Sequence, residues 1–352
     1  MFLPYVVDPE VSYSEYIYNS SVTTGLSNHF DQYAADIVGA FDIEQGALGV
    51  DLGSNDGSML SSMKKAGLQV QGVEPAGAIA KVANDAGLLT IHDYFTEPVV
   101  SKIIESRGKA ALVTANYMYA NIDNLLEFTR CVKKLLADDG IFVVQTGYHP
   151  EQMKIGMFDY IYHEHFSYFT LAVLAKLFAE SGLEIIAASL HSPKGGSLRV
   201  VAQHAGGKRQ RDTSVEELLA AEKATGVDNP GLYKRFYDKL QDEKNRLRDV
   251  LAAHKANGAS IAGFGASHST TTLIYQFELM DFLDFIVDDN PDKQGTYSPG
   301  VHIPVYSGEY LVAEKPECVM LLAWQHKDSI LKKYLPLSKG CEWIIPFSEF
   351  SI

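Results

Sequence analysis

The chain has 352 residues, 46% of them hydrophobic, which is long for one ordinary domain and suits two. Its net charge of -14 argues against nucleic acid and anionic membrane surfaces as partners. No basic-then-apolar leader is evident at the N-terminus and no apolar run is long enough to span a bilayer. Three scattered cysteines without a Cys-x-x-Cys pair fit a reducing cytoplasm and give no cysteine-based metal site.

Residues 2–22 are rich in tyrosine (Tyr5, Tyr13, Tyr16, Tyr18) and read either as an arm packed on the surface or as a lid over a ligand. Residues 28–41 carry Phe30, Tyr33, Ile37 and Phe41 at helical spacing. The organising stretch is Gly49-Val-Asp-Leu-Gly-Ser-Asn-Asp-Gly-Ser-Met-Leu60: an apolar strand, a tight polar turn and the start of a helix. Gly53 and Gly57 permit backbone shapes and close approaches that a Cβ would hinder. The next apolar run ends in Glu74, where a carboxylate can hold ribose hydroxyls. The turn is not Gly-x-Gly-x-x-Gly, and Asp51 and Asp56 suit a pyrophosphate poorly. A cationic or uncharged ligand such as S-adenosylmethionine, with its sulfonium, amino group and adenosine, fits better.

Strands and helices then alternate: a helix over 76–86, strands over 88–91, 110–115 and 141–145, and a helix over 125–136 stopped by Asp138-Asp-Gly140. Such alternation predicts a mostly parallel sheet covered on both faces, with ligands beyond the carboxyl ends of the strands. Asp51, Glu74, Asp93, Asn116 and Gln145 all fall at or just past expected strand ends. The stretch 158–170, containing Tyr162-His-Glu-His165, reads as a loop before a helix capped by Thr170. Residues 183–190 and 197–203 read as an antiparallel edge pair joined by Pro193-Lys-Gly-Gly196. A basic turn at 206–211 and two charged helices, 214–224 and 230–255, read as an inter-domain connection. A second α/β unit opens with Ile261-Ala-Gly-Phe-Gly-Ala-Ser267. Its turn has no acid. It reads either as a cradle for a sugar-nucleotide pyrophosphate or as part of a purely supporting domain. The expected layout is therefore a first α/β ligand-binding domain with its N-terminal arm over 1–204, a helical connection over 205–257 and a smaller α/β domain over 258–352.

His163, Glu164 and His165 could suggest a metal, but adjacent side chains rarely converge on one ion and no third ligand is identifiable. Acid–base work by a histidine beside a carboxylate is the better reading, and no metal is expected.

Taken together these motifs resemble the sugar C-methyltransferases of deoxysugar pathways, which methylate a ring carbon of a nucleotide-linked 4-keto-deoxysugar with S-adenosylmethionine. The resemblance rests on residues 50–57, 158–165 and 195–199, and in the C-terminal domain on Gly263-Phe-Gly-Ala266, residues 287–295 and Ala323-Trp324. It implies a Rossmann-like α/β methyltransferase domain and a second α/β domain that helps hold the nucleotide sugar. The implied donor site comprises Asp51, Gly53, Ser54, Asn55, Glu74, Pro75, Asp93, Tyr94, Phe95 and Asn116. Tyr16, Tyr162, Glu164 and His165 match residues considered catalytic, with His165 as the base, while Gly265, Ser267, Asp289, Asn290 and Trp324 are implied in acceptor binding. The family usually begins with a cysteine-rich zinc domain. This chain starts after it, so structural zinc is expected to be absent. Asn121 stands where the family has a histidine, and Gln145 where it often has a glutamate. The expectation is a cytoplasmic methyltransferase, monomer or dimer, acting on carbon beside a C4 ketone. An O-methyltransferase or a non-catalytic binding module are the alternatives.

Overall fold

The computed structural model describes residues 7–8, 10–11 and 25–351, and these divide into two compact units. The first comprises residues up to Pro150 together with His163–Thr225; the second comprises Glu151–Tyr162 and the chain from Gly226 onward. Tyr16 and the other arm tyrosines lie outside the described residues.

In the first unit, helix α1 (Leu26–Ala40) precedes β1 (Leu48–Leu52), α2 (Ser58–Lys65), β2 (Gln69–Glu74), α3 (Gly77–Asp85) and β3 (Thr90–His92). Next come α4 (Glu97–Arg107), β4 (Ala110–Asn116), α5 (Leu125–Leu135) and β5 (Leu136–Gly147). After the return at His163 the unit adds α6 (Leu171–Glu180), β6 (Leu183–His191), β7 (Ser197–His204) and α7 (Thr213–Thr225). The seven strands lie in the order β3-β2-β1-β4-β5-β7-β6. The first five are parallel, and β7 runs antiparallel between β5 and β6. This is the Rossmann-like sheet with an antiparallel edge pair that the sequence leads one to expect. Strands β1 and β4 are largely apolar because helices cover both faces, giving two separate cores.

Asp138-Asp-Gly140 does not end a helix: α5 passes directly into β5, and these residues lie within the strand. A Cβ on Gly140 would stand 2.6 Å from the Ala110 carbonyl oxygen, so the glycine marks a close approach to β4.

In the second unit, α8 (Pro230–Ala256) leads into β8 (Ile261–Phe264), α9 (His268–Gln276), β9 (Phe285–Val287) and β10 (Val305–Tyr306). Helix α10 (Gly308–Glu314), β11 (Cys318–Leu321), α11 (Lys327–Tyr334) and β12 (Glu342–Ile344) complete it. All five strands are parallel, in the order β10-β9-β8-β11-β12. Phe158, from the segment 151–162, stacks on Phe277 at 4.9 Å between ring centroids and belongs to this unit's core. The two charged helices expected to form one connection fall in different units, α7 with the first and α8 with the second. Among the described residues no helix is long and apolar enough to cross a membrane.

Candidate active site

The first unit encloses a cavity of ≈ 370 Å³ beyond the carboxyl ends of its parallel strands. Glu74, the last residue of β2, lines it and is only 4% exposed. Its Oε2 accepts the Asn55 N–H and its Oε1 the Ala76 N–H, both at 2.9 Å. The carboxylate is thereby fixed before any ligand arrives, with further lone pairs to offer. Burial pushes its carboxyl above the usual range, against the pull of those two N–H groups.

The turn after β1 is shaped for this arrangement. Gly53 (φ +63°) and Ser54 both donate N–H bonds to the Val73 carbonyl, at 2.9 and 3.1 Å, closing the turn onto β2. A Cβ on Gly53 would meet the Met118 side chain at 2.8 Å, and both residues line the cavity. Asp56 is not among the residues lining the cavity; its Oδ1 accepts the Ser58 N–H at 3.1 Å at the start of α2. Asp51 is not among the lining residues. Its carboxylate accepts Thr114 Oγ1 at 2.6 Å and Asn116 Nδ2 at 3.3 Å, and burial raises its pKa to about 7. Asn116 is thereby turned so that its Oδ1, buried and without a hydrogen-bond partner, remains as an acceptor in a residue lining the cavity.

Pro75, Tyr94, Phe95 and Phe128 supply apolar wall, with Phe95 edge-on to Phe128 at 5.1 Å. Asp93 is exposed, outside the lining, and its Oδ1 accepts the Tyr94 N–H at 2.8 Å. Ser54 is buried, and its Oγ has no hydrogen-bond partner.

Asn121 also lines the cavity, at the end of a short 3-10 turn, Tyr119–Asn121. The Ala120 carbonyl of that turn accepts the N–H groups of Phe166 (2.8 Å) and Ser167 (3.2 Å), tying the segment that follows His165 to the cavity wall. Glu164 and His165 are half-buried, whereas His163 is exposed. The His165 ring lies 5.9 Å from the Tyr168 ring, itself 6.1 Å from His149, which burial holds neutral with a pKa of about 4. Val7 donates its N–H to the His163 carbonyl at 3.2 Å. Among the described residues no group of three or more His, Cys, Asp or Glu side chains is arranged to hold a metal ion.

A cluster converges beside the cavity in which Arg199, Tyr117, His29 and Lys194 had no assigned role in the sequence. Arg199, buried in β7, stacks its guanidinium 3.7 Å above the Tyr33 ring and donates Nε–H to Gln145 Oε1 at 2.8 Å. Gln145 donates Nε2–H to the Tyr117 hydroxyl at 2.5 Å and lies 2.8 Å from His29 Nε2. Lys194 Nζ stands 4.4 Å over the Tyr117 ring, and both residues line the cavity. The available signal was a charged residue, Arg199, inside an apolar strand; Lys194 in a glycine-flanked turn gave none.

The second unit repeats the logic of the first turn. Gly265 N–H donates to the Val287 carbonyl at 2.8 Å, and Asp288, after β9, accepts the Ala266 N–H at 2.7 Å, as Glu74 accepts Asn55. The close approach that requires Gly265 (φ +103°) is to Ala323, whose Cβ would lie 2.4 Å from an added Cβ. Ser267 caps α9 through Thr270 N–H at 3.3 Å. Asp289 is held by Lys333 at 2.8 Å and by the Tyr334 hydroxyl, and Asn290 Oδ1 accepts the Asp292 N–H at 3.0 Å. Trp324 is buried and donates Nε1–H to Asp159 Oδ2 at 3.0 Å; Gln325 donates to the same oxygen at 2.7 Å. Burial raises the Asp159 pKa to about 7. The Tyr162 ring lies 5.7 Å from His268 in this unit.

The first unit's cavity suits S-adenosylmethionine on this structure's own terms. Glu74 offers a pre-fixed anionic acceptor for a ribose diol, the unpartnered Asn116 Oδ1 offers an acceptor to an ammonium group, and the aromatic wall matches a purine. Residues 27–188 match the methyltransferase domain family, and residues 192–348 the C-methyltransferase C-terminal domain. The C-methyltransferase NovU of Streptomyces niveus is 33% identical over 353 residues, spanning 99% of this chain and 84% of that protein. Similarity to solved structures is partial. Magnesium protoporphyrin IX methyltransferase of Synechocystis PCC 6803 with bound SAH covers 56% of this chain and 92% of its own at 14% identity and TM-score 0.42. The CcbJ methyltransferase of Streptomyces caelestis covers 55% and 95% at 15% identity and TM-score 0.40. With nearly its whole length matched at one third identity, the chain belongs to the C-methyltransferases, enzymes that take their methyl group from S-adenosylmethionine.

Proposed function

We propose that this enzyme methylates a ring carbon beside the C4 ketone of a nucleotide-linked deoxysugar, with His165 as general base. The observation that carries this reading is the tether from Phe166 and Ser167 to Ala120, which fixes the segment after His165 beside a cavity-lining turn. A half-buried imidazole next to a carboxylate, Glu164, is suited to accept a proton near neutral pH.

Bound S-adenosylmethionine supplies an electrophilic methyl group. Glu74 holds and orients the ribose of that donor, and Asn116 the amino end. His165 removes the proton beside the ketone, and the C–H electron pair moves into the ring to leave an enolate on the sugar. Fixing both reactants at one site contributes much of the acceleration through proximity and orientation. The curated relative's designation as a C-methyltransferase supports carbon as the acceptor. The repeated turn-and-acid geometry at Ala266 and Asp288 supports a nucleotide site in the second unit.

The test is hydrogen exchange in heavy water on a 4-keto nucleotide sugar, with S-adenosylhomocysteine in place of the donor, together with mapping of the methylated product. Exchange beside the ketone is expected. His165→Gln should slow exchange and methylation together by about 10²–10⁴-fold. A product methylated on oxygen would overturn the carbon mechanism and leave the methyltransferase assignment standing.

A further inference from the structure

Lys194 is the one cation among the described residues that line the cavity; the other charged groups there are Glu74, Asp123 and Glu127. It sits in the turn between β6 and β7 with φ 55° and ψ 39°, a left-handed conformation that costs a non-glycine residue about 1–2 kcal/mol. Tyr117, whose ring it covers, is left-handed as well at φ 58°. Strained residues that persist in this way are over-determined by their surroundings and cluster at functional sites.

The surroundings in this case are a relay. Arg199 orients Gln145, and Gln145 donates to the Tyr117 hydroxyl. Ser197 Oγ lies 3.2 Å from that hydroxyl and 2.7 Å from the Pro193 carbonyl. The serine has one proton for these two acceptors, and the shorter contact is to the Pro193 carbonyl. The relay therefore runs from a buried guanidinium through the Tyr117 hydroxyl to the residue preceding Lys194. Among the described residues lining the cavity, the Lys194 ammonium is the cationic hydrogen-bond donor. Burial works against that ammonium's charge and brings its pKa to about 8, while Glu164 attracts it and partly opposes the shift.

The geometry points to Lys194 as the group that holds the oxyanion: its ammonium donates a hydrogen bond to the ketone oxygen of the sugar as negative charge gathers there. This rests on the proposed 4-keto acceptor. As the proton leaves carbon for His165, the C–H pair becomes the new C=C bond and the carbonyl π pair moves onto oxygen. Lys194 shares its N–H with that oxygen without transferring the proton. When the carbon takes the methyl group, the pair returns to the carbonyl and the enzyme keeps the same ammonium.

The experiment compares wild type with Lys194→Met and Lys194→Arg, using thymidine-diphosphate-linked 4-keto-6-deoxyglucose as the probe. Lys194→Met should slow both heavy-water exchange and methylation by about 10²–10³-fold, the usual loss for one oxyanion donor. Donor affinity by calorimetry should stay the same or tighten, because a cation is removed from around a cationic ligand. Wild-type kcat/KM should fall as pH rises through about 8 and the ammonium is lost. Lys194→Arg should recover most of the rate and lack that alkaline limb, which a purely structural lysine would not produce. Exchange undiminished in Lys194→Met overturns the role of Lys194 alone. Equal loss of donor binding, activity and melting temperature in both variants overturns it too, in favour of a structural role. Wild-type enzyme that methylates oxygen, or neither exchanges nor methylates the probe, overturns the keto-sugar reading and this inference with it.

Discussion

Replacing Glu74 by glutamine tests the donor site most directly, because the side chain keeps its size and changes only one atom. The native carboxylate uses one lone pair of each oxygen on a backbone N–H, from Asn55 and from Ala76, each at 2.9 Å. A glutamine has one acceptor oxygen, so its NH₂ must face one of those N–H groups, donor against donor. One charge-assisted acceptor for the ribose disappears, and the turn holding it loosens. Hydrogen bonds to charged groups contribute about 1.5–3 kcal/mol, so donor affinity should fall by roughly ten- to a hundred-and-fifty-fold. Glu74→Ala should lose at least as much and also melt earlier, since both N–H groups lose their acceptor. Titration calorimetry over a series of pH values is the assay. The pH dependence supplies an internal check. Burial raises this carboxyl above the usual range. Wild-type affinity should therefore climb as pH rises through and above that range and then level, and Glu74→Gln should lack the climb. Unchanged affinity in a variant that still unfolds cooperatively would refute the assignment.

Two further substitutions probe the second unit. Gly265→Ala forces a Cβ to 2.4 Å from Ala323 Cβ at φ +103° and should destabilise the protein by about 2–4 kcal/mol in denaturant titration, with donor affinity retained under native conditions. Lost donor binding in the folded variant would contradict this. Asp159→Asn concerns pH: the folded-state pKa of about 7 lies above the ordinary 3.8, so the folded chain keeps a proton that the unfolded chain releases. Stability from this group is full below about pH 4 and is lost as pH rises through about 7. Asp159→Asn should flatten that decline in melting temperature, and an unaltered slope would show that another group causes it.

How much of this was legible in the sequence follows from what each residue answers to. Strands β1 and β4 were readable because burial on both faces favours largely apolar runs, β2 less plainly because Gln69 and Gln71 interrupt it, and the strand ends gave Glu74 and Asn116 directly. Helix α4 went unread, although Thr96 and Pro98 are ordinary start signals and Val99, Val100 and Ile103 form its buried face. Gly265 looked like room for a ligand; a glycine reports only that something comes close, and here it is Ala323. Lys194 was invisible for a different reason. A lysine in a glycine turn is normally solvated, and only the pairing of β7 with β5 brings it over Tyr117.

The route of the chain has a practical consequence for anyone who would treat this protein as modular. It passes from the first unit to the second at residue 151, back at 163 and over again at 226. A truncation after Thr225 would thus keep Met153, Met157 and Phe158 while deleting the core that covers them, inviting aggregation. Exchanging the second unit between relatives requires moving residues 151–162 along with everything from 226 onward. The inner splice would then fall between Tyr162 and His163, inside the very tetrad Tyr-His-Glu-His. Chimaeras should be designed with three junctions, and the one at that tetrad must be seamless.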